Sequence, residues 1–285
     1  MLLAFIAAAA LGASAFSYDA TAPLRVTTLQ SSTQDGVRKR LVTFASGPRV
    51  VRAEIVSPSQ PGRGGPGVLF VHWLGDDATT NHREFEPDAR ALARRGATCV
   101  LIDAMWSTLL SNGKDWFTQL RSPDTDYANS IAQVIDLRRA LDVLEAQPGV
   151  DATRIAYVGH DFGSMYGAVL SGVDPRPRYY VLMAGTTTFA QWYLLGKKPA
   201  DVAAYTAHMT ALDPLPYLAR SSAQGFMFQF AAHDQYVSAA NAEAFSEAAP
   251  LPRATYVYDS KHDLAVPLAM HDRLSWLGDR LFSKS

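Results

Sequence analysis

Short, wholly apolar runs recur along this chain and alternate with segments of helical period. Val68-Leu69-Phe70-Val71, Thr98 to Ile102 and Ile155-Ala156-Tyr157-Val158 are runs of four or five residues rich in β-branched and aromatic types. Tyr180 to Met183, Phe226 to Ala231 and Thr255 to Tyr258 continue the series. Such runs predict strands buried on both faces. Between them, Glu84 to Arg95 predicts a helix with Pro87 in its first turn and Gly96 past its end. Tyr127 to Gln147 carries Ile131, Val134, Leu137, Leu141 and Leu144 at helical spacing and stops at Pro148-Gly149. Ser164 to Ser171 and Ala269 to Leu281 predict two more helices. Ahead of the alternation, Arg40 to Phe44 and Val50 to Val56 flank a Ser46-Gly47-Pro48 turn, which predicts an antiparallel hairpin at a sheet edge. Pro58 to Gly67 separates the two kinds of structure.

Strands joined by helical crossovers make a mostly parallel, doubly wound α/β sheet, and ligands in such sheets bind beyond the carboxyl ends of the strands. Those ends carry the candidate chemistry. After Val158 stands Gly159-His160-Asp161-Phe162-Gly163, followed by a predicted helix. Strand, tight glycine-flanked turn and helix form a nucleophile elbow, with Asp161 as the raised central residue at a helix N-terminus. His233-Asp234-Gln235-Tyr236-Val237 follows the Phe226 to Ala231 strand, and Asp259-Ser260-Lys261-His262 follows Tyr258. The order nucleophile, acid, histidine assigns Asp161, Asp234 and His262 as a triad, with Asp234 orienting the His262 imidazole. His72-Trp73-Leu74-Gly75 follows Val71, so the backbone N–H groups of Trp73 and Phe162 are the expected oxyanion hole. His160 and His233 flank these positions and read as structural neighbours.

Over nearly all the mature chain the layout resembles the α/β-hydrolase superfamily. The stretch from Val68 to Ala184, with His72-Trp73-Leu74-Gly75 and Asp151-Ala152-Thr153-Arg154-Ile155, is similar to dienelactone-hydrolase-type proteins. The elbow resembles that of haloalkane dehalogenases and epoxide hydrolases, which carry aspartate at the position of Asp161. Those enzymes usually have His-Gly where this chain has His72-Trp73, and the dehalogenases commonly have Trp where it has Phe162. The resemblance implies an alkyl-enzyme ester on a carbon–halogen, epoxide or similar electrophile, hydrolysed by water that His262 activates. Ester or lactone hydrolysis of dienelactone-hydrolase type, with Asp161 and His262 acting as a general base, is the alternative. A non-catalytic ligand-binding protein on a hydrolase scaffold is the reading from another class.

Residues 186–224 lie between strands and suffice for a small lid carrying Trp192, Tyr193, Tyr205 and Tyr217; the loop after Asp103 carries Trp106 and Trp116. Most of these aromatics read as packing. Trp106, Trp192 and Tyr193, with His72 and Trp73, are the candidates for substrate contact.

The 285 residues, 48% hydrophobic and 19% charged with net charge −1, fit one globular domain and give no electrostatic footprint for nucleic acid. Cys99 is the single cysteine and sits in a predicted strand, so an intrachain disulfide and a cysteine-based metal cluster are excluded. No metal-ligand spacing or phosphate loop occurs, and no cofactor is implied. Leu2 to Leu11 is apolar and Ala13-Ser14-Ala15 offers a cleavage pattern, so residues 1–15 read as a signal peptide and 16–285 as the domain. Periplasmic or secreted location is expected, without membrane insertion after processing; cytoplasmic retention is the alternative. The expected partner is a small-molecule substrate, and the oligomeric state is left open.

Overall fold

The computed structural model describes residues 14–110 and 118–282. Most of the expected signal segment, and Trp116, lie outside the described residues. Nine strands form one sheet in the order β1-β2-β3-β5-β4-β6-β7-β8-β9. β1 (Thr27–Gln34), β2 (Val37–Ser46) and β3 (Arg49–Pro58) run antiparallel, and β3 joins β5 (Thr98–Ile102) antiparallel. From β5 onward, β4 (Gly65–Val71), β6 (Val150–His160), β7 (Pro177–Met183), β8 (Gly225–Ala231) and β9 (Arg253–Tyr258) pair in parallel. The six apolar runs form strands and the hairpin forms, but β1 covers its outer side, so the hairpin is not at the sheet edge, and β9, at the other edge, is largely exposed and not buried on both faces.

β1 is the strand that the apolar pattern does not announce. Its eight residues are polar or exposed throughout, because an edge strand with neither face covered needs no alternation. It is registered on β2 by Asp35-Gly36, whose φ values of 51° and 74° suit the tight turn of a two-residue hairpin.

Alternate residues of each strand feed opposite sides of the sheet. Leu69 and Val71 join Val134, Leu137, Leu141 and Leu144 of α2 (Pro123–Glu145) and Met165 and Val169 of α3 (Phe162–Ser171) in one core. Val68 and Phe70 join Leu92 of α1 (Glu86–Arg94) and Trp276 and Leu277 of α8 (Pro267–Leu281) in the other. Both helical layers are thus anchored by strands that read as continuous apolar runs.

Residues 186–224 carry three short α-helices, α4 (Phe189–Tyr193), α5 (Val202–Met209) and α6 (Leu215–Ala219), with a 3-10 turn at Thr210–Leu212. Their large side chains Trp192, Tyr193, Tyr205 and Tyr217 are all buried in the α2–α3 side core. A further helix, α7 (Ala239–Glu247), follows β8. No helix among the described residues is long and apolar enough to cross a membrane.

Phe16 is fully buried in the same core, edge-on to Tyr217 with ring centroids 6.0 Å apart. Arg138 donates to its carbonyl at 2.7 Å. Replacing Phe16 with Ala is expected to cost about 3–4 kcal/mol of folding stability, read from the midpoint of a urea transition. A loss under about 1 kcal/mol would show that this residue is not part of the core.

Candidate active site

β6 delivers the chain into α3 through a single non-helical residue, Asp161, at φ 56° and ψ −115°. A side chain in that region is strained and is held by what surrounds it. Gly159 and Gly163 are the reason the turn closes. A Cβ on Gly159 would collide with the Gly163 carbonyl, and one on Gly163 with the carbonyl of Val71 at the end of β4. Tyr157 donates its hydroxyl to the Gly163 carbonyl at 2.6 Å, and the Asp161 N–H donates to Met183 of β7 at 2.9 Å.

The Asp161 carboxylate is completely buried, and its two oxygens are unlike. Oδ2 accepts the Leu74 backbone N–H at 2.9 Å. Oδ1 makes no hydrogen bond and lies 3.8 Å from His262 Nε2, which makes none either. That separation is ionic contact beyond hydrogen-bond length. On the far side of the ring, His262 Nδ1–H donates to Asp234 Oδ2 at 2.8 Å. Asp234 Oδ1 in turn accepts the N–H groups of Tyr236 and Val237 at 2.8 and 2.9 Å. The structure therefore brings Asp161, His262 and Asp234 together at the strand ends.

Burial alone would lower the His262 pKa, but Asp161 and Asp234 on either side outweigh it and raise it to about 9. Burial likewise opposes the Asp234 charge, and the bond to His262 with the two backbone donors holds its pKa below the ordinary value. Trp192 and Tyr236 pack on the ring with centroids 5.2 and 5.0 Å away.

In the loop after β4, the backbone donor that reaches Asp161 lies one residue past Trp73. The Trp73 N–H donates to Glu84 Oε2 at 2.7 Å and is consumed, so Leu74 supplies the donor to Asp161. Phe162 opens α3 beside Asp161, and its ring packs against Trp106 and Trp192. Three of the expected contact residues have their polar atoms engaged within the protein. His72 Nδ1–H donates to the Trp73 carbonyl and its Nε2 accepts from Ala104, while burial drops its pKa to about 4. Trp106 Nε1–H donates to the same Trp73 carbonyl at 3.0 Å. The Tyr193 hydroxyl closes a triangle with Ser130 and Tyr166. Trp192 is different: it faces His262, and its buried Nε1–H has no partner among the described residues.

His160 is buried with both ring nitrogens engaged, whereas His233 is an exposed partner of Asp259. Leu74, Glu84 and Tyr236 were not singled out by the sequence. Tyr236, two residues past Asp234, and Leu74, within the loop after the Val71 strand, carried a positional signal; Glu84 did not. A cleft of about 520 Å³ between α7 and β9 touches Asp234 but neither Asp161 nor His262, so it does not open on the reacting atoms. Among the described residues no group of three or more His, Cys, Asp or Glu is set to hold a metal ion.

No protein-family model and no curated protein sequence matches the chain. Solved structures do. An acetyl xylan esterase from Paenibacillus sp. R4 is 15% identical, with a TM-score of 0.75 over 98% of this chain and 94% of that one. A Klebsiella pneumoniae protein assigned as a dienelactone hydrolase is 14% identical, with a TM-score of 0.65 over 88% of this chain and 100% of that one. An S-formylglutathione hydrolase from Agrobacterium tumefaciens is 13% identical, with a TM-score of 0.66 over 90% and 99%. The fold they share with this chain is the α/β-hydrolase fold.

The His262 shift sets a pH dependence. Folded His262 keeps its proton to about pH 9, against an ordinary value of 6.5. The native state binds the extra proton between those values, so this stabilisation is full below about pH 6.5 and is lost as pH rises through about 9. Denaturant unfolding of wild type and His262→Gln is expected to show a stability difference that shrinks by up to about 3 kcal/mol across that window. A difference flat from pH 6 to about pH 9.5 would contradict the raised pKa.

Proposed function

We propose that this protein is a cofactor-independent hydrolase in which Asp161 is the nucleophile, attacking a carbon–halogen, epoxide or similar electrophilic carbon of a small molecule in the periplasm or outside the cell. The observation that carries this reading is the asymmetry of the Asp161 carboxylate. Oδ2 is held by the Leu74 N–H, while Oδ1 is unbonded and turned to the His262 side.

In this reading Oδ1 attacks the saturated carbon. The carbon–halogen or carbon–oxygen bond breaks with its electron pair; a halide departs as the anion, and an epoxide oxygen takes up a proton from solvent, to which the His262 imidazolium later gives one back. Oδ2 becomes the carbonyl of an alkyl-enzyme ester. Esterification removes the Asp161 charge, and with it part of what raises the His262 pKa. The imidazole can then release its proton and act as base. Water adds to the Asp161 carbonyl carbon as Nε2 takes its proton, and the oxyanion forms on Oδ2 at the Leu74 N–H. Collapse breaks the bond from the carbonyl carbon to Oδ1, so the alcohol leaves with Oδ1 and the water oxygen stays on Asp161. Asp234 holds the ring orientation and its charge throughout. Trp192 Nε1–H, buried and unpaired beside His262, is the side-chain donor available to a polar group of the substrate.

A second reading is hydrolysis of an ester or lactone, with Asp161 and His262 activating water directly. It is favoured by the esterase and dienelactone hydrolase names of the structural neighbours. The two readings differ in where water's oxygen goes. A panel of haloalkanes, epoxides, lactones and p-nitrophenyl esters finds the substrate, and one turnover in ¹⁸O-labelled water then decides. The covalent route is expected to label the Asp161 peptide and leave the first product unlabelled. His262→Gln should accumulate a mass adduct on that peptide, and Asp161→Asn should form none and lose kcat by about 10⁴-fold or more. Label in the first product and none in the peptide would replace the covalent route with the general-base one.

A further inference from the structure

Beneath the triad lies a second His–carboxylate pair that the proposed reaction does not use. His160, next to Asp161 in sequence, is fully buried. Its Nε2 is 2.9 Å from the carbonyl oxygen of His262. A carbonyl only accepts, so Nε2 carries a hydrogen. Its Nδ1 is 2.6 Å from Glu84 Oε1, and one further proton occupies that bond. Glu84 Oε2 accepts the Trp73 N–H at 2.7 Å. The His160 ring also lies parallel on the Trp73 indole, 5° apart in plane with centroids at 5.2 Å.

These contacts form one path across three loops. His262 is tied by its backbone to His160, His160 to Glu84, and Glu84 to Trp73. The next residue after Trp73 is Leu74, the donor to Asp161 Oδ2. We propose that Glu84 and His160 are a positioning pair that locks the oxyanion loop and the His262 loop to the Asp161 elbow, setting Leu74 N–H and His262 on either side of one carboxylate. Neither residue touches the reacting atoms. The inference rests on the proposed roles of Asp161, Leu74 and His262, but the lock is observable without any substrate.

The experiment is histidine-labelled NMR titration of the full chain, with the His262 signal assigned by its loss in His262→Gln. The titratable groups facing His262 are Asp161 and Asp234, which raise its midpoint, and Tyr236 and His160. Releasing the lock lets the His262 loop drift from Asp161, so the midpoint falls. Glu84→Ala removes the bridge. Glu84→Asp keeps the charge but is one methylene short, and it serves if the alanine variant does not fold. Glu84→Gln can accept the Trp73 N–H through its oxygen and donate its amide to His160 Nδ1. The midpoint is expected to drop by about one unit or more in Glu84→Ala and Glu84→Asp and to stay near wild type in Glu84→Gln. On whichever panel substrate is turned over, the first two should lose kcat on the order of 100-fold, with KM little changed and glutamine restoring it. An unchanged His262 midpoint in both variants overturns the inference whatever the panel shows. An equal fall in Glu84→Gln assigns the effect to the Glu84 charge and overturns it too. If no panel compound is turned over, the proposed reaction is in question, and the titration still decides the lock.

Discussion

The first turn of α3 lies so close to the end of β4 that a methyl group on Gly163 would strike the Val71 carbonyl. That approach fixes where everything else at the site can be. It sets the helix N-terminus against the loop that leaves β4, so the Leu74 N–H reaches Asp161 across 87 residues of sequence. It also forces the turn to be taken in one residue, which puts Asp161 at positive φ and its side chain above the sheet. The strain is borne by neighbours that cannot move: β4 and β6 pair along their length, and Gly159 has no room for a side chain. A strained conformer survives only when its surroundings over-determine it, and here backbone on two sides does so.

Upon that frame sits an unusual charge arrangement, one imidazole between two buried carboxylates. Burying charge is costly unless each group is paired. Asp234 is satisfied by two backbone N–H groups as well as by His262, and Asp161 by the Leu74 N–H and the nearby ring. Aromatic rings, not water-facing polar groups, cover the imidazole. In the proposed reaction, the stability of this arrangement and its chemistry rest on the same proton. While both carboxylates are charged the ring keeps that proton, and neutralising Asp161 is what would free it.

Much of this was legible in the sequence, for reasons that differ by element. The central strands show because burial on both faces demands unbroken apolar runs. The elbow shows because its glycines are a steric necessity. β1 was passed over because an exposed edge strand carries no apolar period, although Asp35-Gly36 was a hairpin signal in plain view. The backbone donor to Asp161 is Leu74 and not Trp73 because Glu84, eleven residues on, captures the Trp73 N–H, and no local pattern encodes that capture. The aromatics failed in the same way. Sequence supplies Trp106, Trp192 and Tyr193 alike, but only the fold reveals that Trp106 and Tyr193 spend their polar atoms internally while Trp192 does not.

The use of the Leu74 N–H bears on which chemistry suits the site. An enzyme that stabilises a substrate's acyl oxyanion needs donors free to meet it. Here the donor already holds an oxygen of Asp161, so a substrate carbonyl would have to displace a buried carboxylate oxygen and leave it short of a partner, at a cost of several kcal/mol for a charged group. The covalent route meets no such conflict. The oxygen bound at rest is the one that becomes the ester carbonyl and then the oxyanion, so the same hydrogen bond serves three states with no reorganisation. Preorganised donors are most effective when they do not move between states. This geometry supports the proposed covalent route, in which a carboxylate acting as nucleophile would gain from the Leu74 N–H in each of its states.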